Sequence, residues 1–268
     1  MGDPTNNTQR GLTHMSEETL YERLTPAALE ARIKAAPVAY LPLGTLEWHG
    51  PHLPLGSDHL QSQGFFVQLA RRAGGVVLPP LFLGPDTVKV YDGAEYYGMD
   101  VHQKAYPNPV RLKGSAYWVP DKLFSDILDA VLRQLRRAGF RIVVAHGHGP
   151  STNQVIKNRE ALEKRHDLRI LTLWRSGDDR DQDTEFQSDH AAANETSIMM
   201  ALHPSLVHME HLPRDPAEQP LATIGKDPRT HASPAHGQKI IAAHLDRMEA
   251  LIKQQLAQLA AADTRKTS

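Results

Sequence analysis

Short β-rich runs alternate with helical stretches along most of this chain, and that alternation is the grammar of a parallel sheet covered by helices, because parallel strands need long crossovers between them. Val38 to Leu46 reads as a buried strand ending at Glu47, Leu60 to Arg72 as a helix, and Gly75 to Leu78 as a second apolar burst. Leu123, Phe124, Ile127, Leu128, Val131, Leu132 and Leu135 recur at spacings of three and four, with Pro120 in front and Arg136, Arg137 and Gly139 behind, which predicts a helix. Arg141 to Ala145 then reads as a strand, Asn153 to Lys164 as a helix and Leu168 to Leu173 as a strand. Glu195 to Leu202 and Gly237 to Ala261 follow as helices, the latter with Ile240, Ile241, Leu245, Met248, Ile252, Leu256 and Leu259 on one stripe. Pro85 to Trp118 is rich in Gly, Pro and Tyr without a clear period and is expected to be irregular and to line a cleft. Asp178 to Asp189 reads as an acidic loop and Ser205 to Ala235 as mostly irregular.

Composition narrows what such a fold can do. With 268 residues the chain has ample length for a core, and a formal charge of −1 supplies no global field toward nucleic acid or an anionic bilayer. The absence of cysteine excludes disulfides, iron–sulfur clusters and thiol nucleophiles, and leaves any metal to nitrogen and oxygen ligands. Met1 to Arg23 is polar and lacks an apolar core, unlike a secretory signal, and apolar runs such as Ile142 to Ala145 are far below the roughly 18 residues of a membrane helix. A cytoplasmic protein is expected, with residues 1–24 a polar lead-in and 25–268 a single domain. Histidine is the outlier: 15 residues, or about 5.6%, are of the side-chain type that serves both as metal ligand and as near-neutral proton carrier.

Three clusters place those histidines beside acids. Gly44 to Asp58 follows a strand and holds Glu47, His49, His52 and Asp58 among glycines and prolines. Alternation in an extended segment throws Glu47 and His49 to one side, and a turn through Pro51 to Gly56 brings Asp58 back to them. Zn²⁺, Mn²⁺ or Fe²⁺ accept such a mixed set, and a carboxylate can bridge two ions; helix capping by the acids and packing by the histidines is the plainer alternative. The second cluster, His146 to Ser151, leaves a strand at its carboxyl end, the edge where parallel sheets bind ligands. The third, Ser188 to Ser197, sets Asp189 and His190 ahead of Glu195; Glu195 also suits a helix start, where it complements the dipole.

The first stretch resembles the Gly-x-x-Glu-x-His-Gly-x-His-Leu-Pro-x-x-x-Asp signature of the creatininase (creatinine amidohydrolase) family. The other two resemble its Asn-Gly-His-Gly-Gly-Asn and Glu-His-Ala-Gly-x-x-Glu-Thr-Ser blocks, and the likeness spans roughly Val38 to Val207. The resemblance implies a three-layer α/β/α domain with a mainly parallel sheet, a homo-oligomer assembled as a hexamer, and a centre of two divalent ions, Zn²⁺ foremost with Mn²⁺ or Fe²⁺ as alternatives. It implies hydrolysis of a cyclic or small amide, a small-molecule substrate with no nucleic acid or membrane partner. Carried over by position, Glu47 and His148 hold one ion, His49 and Glu195 the other, Asp58 bridges, and His190 shuttles a proton, steered by Asp189. His52, His146, Tyr91, Tyr96 and Trp118 are candidate substrate contacts.

The departures matter. His146 stands where the family has asparagine, Asp189 where it has glutamate, Ala192 where it has glycine, and Pro150 where creatininase has a metal-binding glutamate. Creatininase closes its pocket with tryptophans, whereas Gly177 to Asp189 contains none. Lactone or formamide hydrolysis on the same centre, and metal binding without turnover, are the rival readings. A dinucleotide-binding domain is not supported, since no Gly-x-Gly-x-x-Gly or Walker sequence is present.

Overall fold

The computed structural model describes residues 18–101, 110–173 and 189–267. The acidic loop expected at Asp178 to Asp189 lies, apart from Asp189 itself, outside the described residues, as does the lead-in before residue 18. Helix α1 (Pro26–Ala35) opens on Pro26 with the Thr25 hydroxyl accepting a bond from the Ala28 amide, a helix start written in the sequence. Strand β1 (Val38–Leu43) is followed by helix α2 (Ser57–Ala73) and strand β2 (Val76–Val77). After the hairpin β3 (Val88–Tyr91) and β4 (Ala94–Tyr97) come α3 (Asp121–Ala138), β5 (Ile142–Gly147), α4 (Gly149–His166) and β6 (Arg169–Leu171). Helices α5 (Ala193–Leu202), α6 (Pro228–His231) and α7 (Pro234–Thr267) complete the chain.

The main sheet has the order β2-β1-β5-β6, with every pair parallel. Its two faces are covered separately, as a period of two requires. Ala39, Leu41, Leu43, Val143 and Ala145 face one core with Phe124, Leu128 and Leu132 of α3 and Val155 and Leu162 of α4. Val38, Tyr40, Ile142 and Val144 face the other, with Phe66 and Leu69 of α2 and Leu245, Met248 and Ile252 of α7. The result is three layers, helix–sheet–helix. No helix among the described residues is long and apolar enough to cross a membrane.

Several boundaries differ from the sequence reading. β1 stops at Leu43 rather than Leu46, and β5 runs on through His146 to Gly147. α4 begins at Gly149, not Asn153, because Pro150 fits the first turn of a helix. Residues 85–118 are not wholly irregular: β3 and β4 turn through Asp92–Gly93, both at positive φ, the dipeptide that a tight hairpin favours. Residues 18–24 are not loose either, since Leu20 bridges to Val77 beside the sheet and Tyr21 and Leu24 pack on the core.

A candidate two-metal centre

Parallel pairing brings the carboxyl ends of β1 and β5 side by side, Leu43 opposite Gly147, so the segments leaving them meet at one edge of the sheet. The approach is close enough that a Cβ on Gly147, at φ 150°, would overlap the Leu43 carbonyl. Glu47 and His49 leave β1 on one segment, and His148 sits between β5 and α4. Asp58 lies in the first turn of α2 and Glu195 in the first turn of α5, where the helix dipole favours a carboxylate.

These side chains interlock as two triads sharing one member: Glu47, Asp58 and His148 in one, His49, Asp58 and Glu195 in the other, the ligand atoms of each lying within 4.8 Å of one another. All five residues are buried, none more than 8% exposed. His49 Nε2 stands 3.5 Å from Asp58 Oδ1 and 3.7 Å from Glu195 Oε2, and His148 Nε2 stands 3.5 Å from Glu47 Oε1. Such gaps exceed an N–H···O hydrogen bond, whose usual range ends near 3.2 Å. The two 3.5 Å gaps match the edge of a tetrahedron of ligands about 2.0–2.2 Å from a central ion, roughly 3.3–3.6 Å, and the 3.7 Å gap lies just beyond it. Buried Nε2 of His49 and Oδ2 of Asp58 have no hydrogen-bond partner among the described residues, as expected of atoms reserved for an ion.

The opposite ring nitrogens are anchored, which aims Nε2 inward. His49 Nδ1 donates to the Glu47 carbonyl at 3.2 Å. His148 Nδ1 meets the Ser151 hydroxyl at 3.1 Å, and that hydroxyl donates to the Gly44 carbonyl at 3.3 Å. Glu195 is steadied by the Ala191 amide, which donates to its Oε2 at 2.7 Å. Burial pushes Glu47 up to about 7, against the pull of His148, and Glu195 up to about 8, against that of His49. For the two imidazoles burial acts downward but neighbouring carboxylates outweigh it: Asp58 and Glu195 raise His49 to about 10, and Glu47 raises His148 to about 9. Asp58 is held well below the usual carboxylate range despite its burial, chiefly by His49.

His190 completes the wall. Its Nε2 donates to the Trp48 carbonyl at 2.7 Å, so in the neutral ring Nδ1 is the free acceptor, 4.0 Å from Glu47 Oε1. Burial, with His49 adding to it, lowers His190 to about 3. The expected steering of His190 by Asp189 is corrected. The Asp189 carboxylate instead accepts from the Asn194 and Glu195 amides, at 2.8 and 3.0 Å, holding the start of α5, and the carbonyl of Trp48 orients the imidazole.

The candidate substrate contacts divide. His146 lines a small pocket together with Asp58, Glu195, Phe65, Ile198 and Ile240, and burial lowers it to about 3. Trp118 packs on Tyr97, ring centroids 5.2 Å apart, and its Nε1 donates to the carbonyl of Asp86. His52 is buried against α5, its Nε2 2.8 Å from the Thr196 hydroxyl, a contact that fixes the ring by a bond away from the carboxylates. Tyr91 and Tyr96 belong to the β3–β4 hairpin, where their rings pack on each other at 5.5 Å and Tyr91 is 40% exposed. Asp86, which the sequence reading passed over inside the unperiodic stretch, reaches within 3.5 Å of His148 Nε2.

Residues 22–252 match the family model described as creatininase, creatinine amidohydrolase. The chain belongs to the creatininase family. It is 24% identical over 216 residues to the creatinine amidohydrolase of Pseudomonas putida, covering 74% of this chain and 77% of that one. It is also 27% identical over 130 residues to the 3-dehydro-scyllo-inosose hydrolase of Thermotoga maritima, covering 48% of this chain and 35% of the relative. Among solved structures, a creatinine amidohydrolase (creatininase) superposes with a TM-score of 0.68 at 22% identity, over 90% of this chain and 98% of that one. A creatininase described with Mn (TM-score 0.67, 21% identity, 89% and 98%) and a mutant creatininase of Zn-Zn type (0.65, 22%, 88% and 97%) share the fold. This creatininase-family hydrolase thus has an α/β sheet flanked by helices and, at the sheet's carboxyl edge, groups suited to hold metal.

Proposed function

We propose that this protein hydrolyses the C–N bond of a small or cyclic amide at a centre of two divalent ions, Zn²⁺ or Mn²⁺ in the first instance. Glu47 and His148 would hold one ion, His49 and Glu195 the other, and Asp58 both. The observation that carries the reading is the pair of buried triads that share Asp58 at ion-spanning rather than hydrogen-bonding distances. Ions bound there supply Lewis acidity, which makes water acidic and polarises a carbonyl.

The chain's own residues contribute the proton chemistry. His190 stays neutral at physiological pH and presents the unprotonated Nδ1 toward Glu47, so it can accept a proton at that atom and return it to the departing nitrogen. Trp48 keeps the ring in that tautomer through its carbonyl. Phe65, Ile198 and Ile240 give the pocket beside Asp58 and Glu195 an apolar wall.

The deciding experiment is turnover of a panel of cyclic and linear small amides, with matched lactones and formamides, by metal-loaded native protein and by His190→Ala. Hydrolysis of an amide that falls by roughly 10²–10⁴ in the variant is expected. Turnover confined to lactones or formamides would move the activity to those esters or formyl amides, and equal inertness of both proteins would favour a metal-binding protein without turnover.

A further inference from the structure

Resting on the amide-hydrolase reading above, we infer that the pocket beside Asp58 and Glu195 receives the acyl side of the substrate, and that this acyl group is a short, branched apolar chain. Three helices and one strand build the pocket. Asp58, Ser62 and Phe65 fall at i, i+4 and i+7 and so share a face of α2, while Ile198 comes from α5, Ile240 from α7 and His146 from the end of β5. Asp58 and Glu195, both assigned to the ions, form part of the wall, so a group that enters lies next to the centre. His190 and its neighbour Glu47 are not among the lining residues. The departing nitrogen, which His190 would serve, therefore points away from the pocket and the acyl carbons point into it.

The lining is mainly apolar carbon, and polar side chains within it are engaged by the protein. The Ser62 hydroxyl donates to the Asp58 carbonyl at 2.7 Å, Asn194 Oδ1 meets His236 Nε2 at 2.9 Å, and His244 Nδ1 faces Arg247 Nη2 at 3.3 Å. An alkyl group gains by leaving water for such a wall, whereas a charged one loses its hydration without compensation. The free space equals about three to five water molecules, room for a branched chain of about as many carbons. The walls are set by packing: a Cβ on Gly237 would overlap the Ser197 carbonyl, so α7 lies hard against α5 and holds Ile240 and Ile198 in place. His146 stands where the family signature has asparagine, and its larger ring takes up part of the same space.

The test is ligand binding, read without turnover. Zn²⁺-loaded wild type, Ile198→Phe and Ile198→Ala are titrated calorimetrically with acetohydroxamate, isobutyrohydroxamate, isovalerohydroxamate and glycine hydroxamate, whose common head chelates metal while the acyl chain varies. In wild type the dissociation constant is expected to fall about 4-fold for each carbon added from acetyl to isovaleryl, the effect of one buried methylene, and glycine hydroxamate to gain nothing over acetyl. Ile198 is half-buried and lines the pocket, so a phenyl ring there fills it. Ile198→Phe is expected to bring the acetyl and isovaleryl constants within about 2-fold of each other. Ile198→Ala, which removes part of the wall and serves if the other variant fails to fold, should narrow the wild-type ratio by at least about 3-fold. A wild-type series that is flat beyond acetyl would overturn the inference, as would a chain-length gain that both Ile198 variants leave whole. Wild type that binds no hydroxamate would sink the two-ion reading and this inference with it, whereas a graded series in a protein that turns over no amide would strike the amide and leave the preference of the pocket standing.

Discussion

Adding divalent metal to the stripped protein at pH 7 is expected to release roughly three protons per chain. In the empty centre the two imidazolium groups stand where cations are wanted. His49, raised to about 10, and His148, raised to about 9, are both charged at neutral pH and must each lose a proton to ligate. Glu195, raised to about 8 by burial, is mostly protonated, and Glu47, raised to about 7, is half so; Asp58 already carries its charge. Overall affinity for the ion pair should therefore gain about three decades per pH unit near neutrality, the release growing toward pH 6 and fading as pH rises from 7 to 10. Calorimetric titrations at one pH in buffers of different ionisation heat measure this, since the slope of observed heat against buffer heat is the proton count. A slope below two would refute the reasoning, because two charged imidazoles alone must release two protons on ligating.

Two further outcomes follow from the same geometry. For His49 and His148 the folded values lie above the ordinary imidazole value of about 6.5, so their stabilisation of the metal-free chain is complete below that pH and is lost as pH rises through about 9 and then 10. The melting midpoint in chelator should fall between pH 6.5 and 9.5 and fall less with metal bound; a midpoint that rises with pH would contradict the assignment. Asp189→Ala removes two acceptors at the start of α5 and should cost about 1–2 kcal/mol, read as a midpoint lower by several degrees, with the pH profile of turnover unmoved. An unchanged midpoint with an altered pH profile would return Asp189 to His190.

By itself the sequence determined the alternation of strands and helices, because burial on both faces of a parallel sheet leaves short apolar runs, and the period of α3 left Phe124, Leu128 and Leu132 on one stripe facing the sheet. It also determined which residues have ligand chemistry, since Glu47, His49 and Asp58 lie within one segment after β1. The Asp92–Gly93 hairpin was not read from the sequence: the dipeptide suits a tight turn, but it lies in a stretch of Gly, Pro and Tyr expected to be irregular. Only the tertiary structure decided which atoms meet. Parallel pairing of β1 with β5 sets His148 against Glu47, and the start of α5 carries Glu195 to His49 across well over a hundred residues of chain. The place of Asp189 was settled by the Asn194 and Glu195 amides at the start of α5, and Asp86, just ahead of the β3–β4 hairpin, came within 3.5 Å of His148 from a segment that no local pattern ties to the others. Local sequence sets backbone preference and side-chain chemistry; convergence depends on sheet register and long-range packing, which no short window contains.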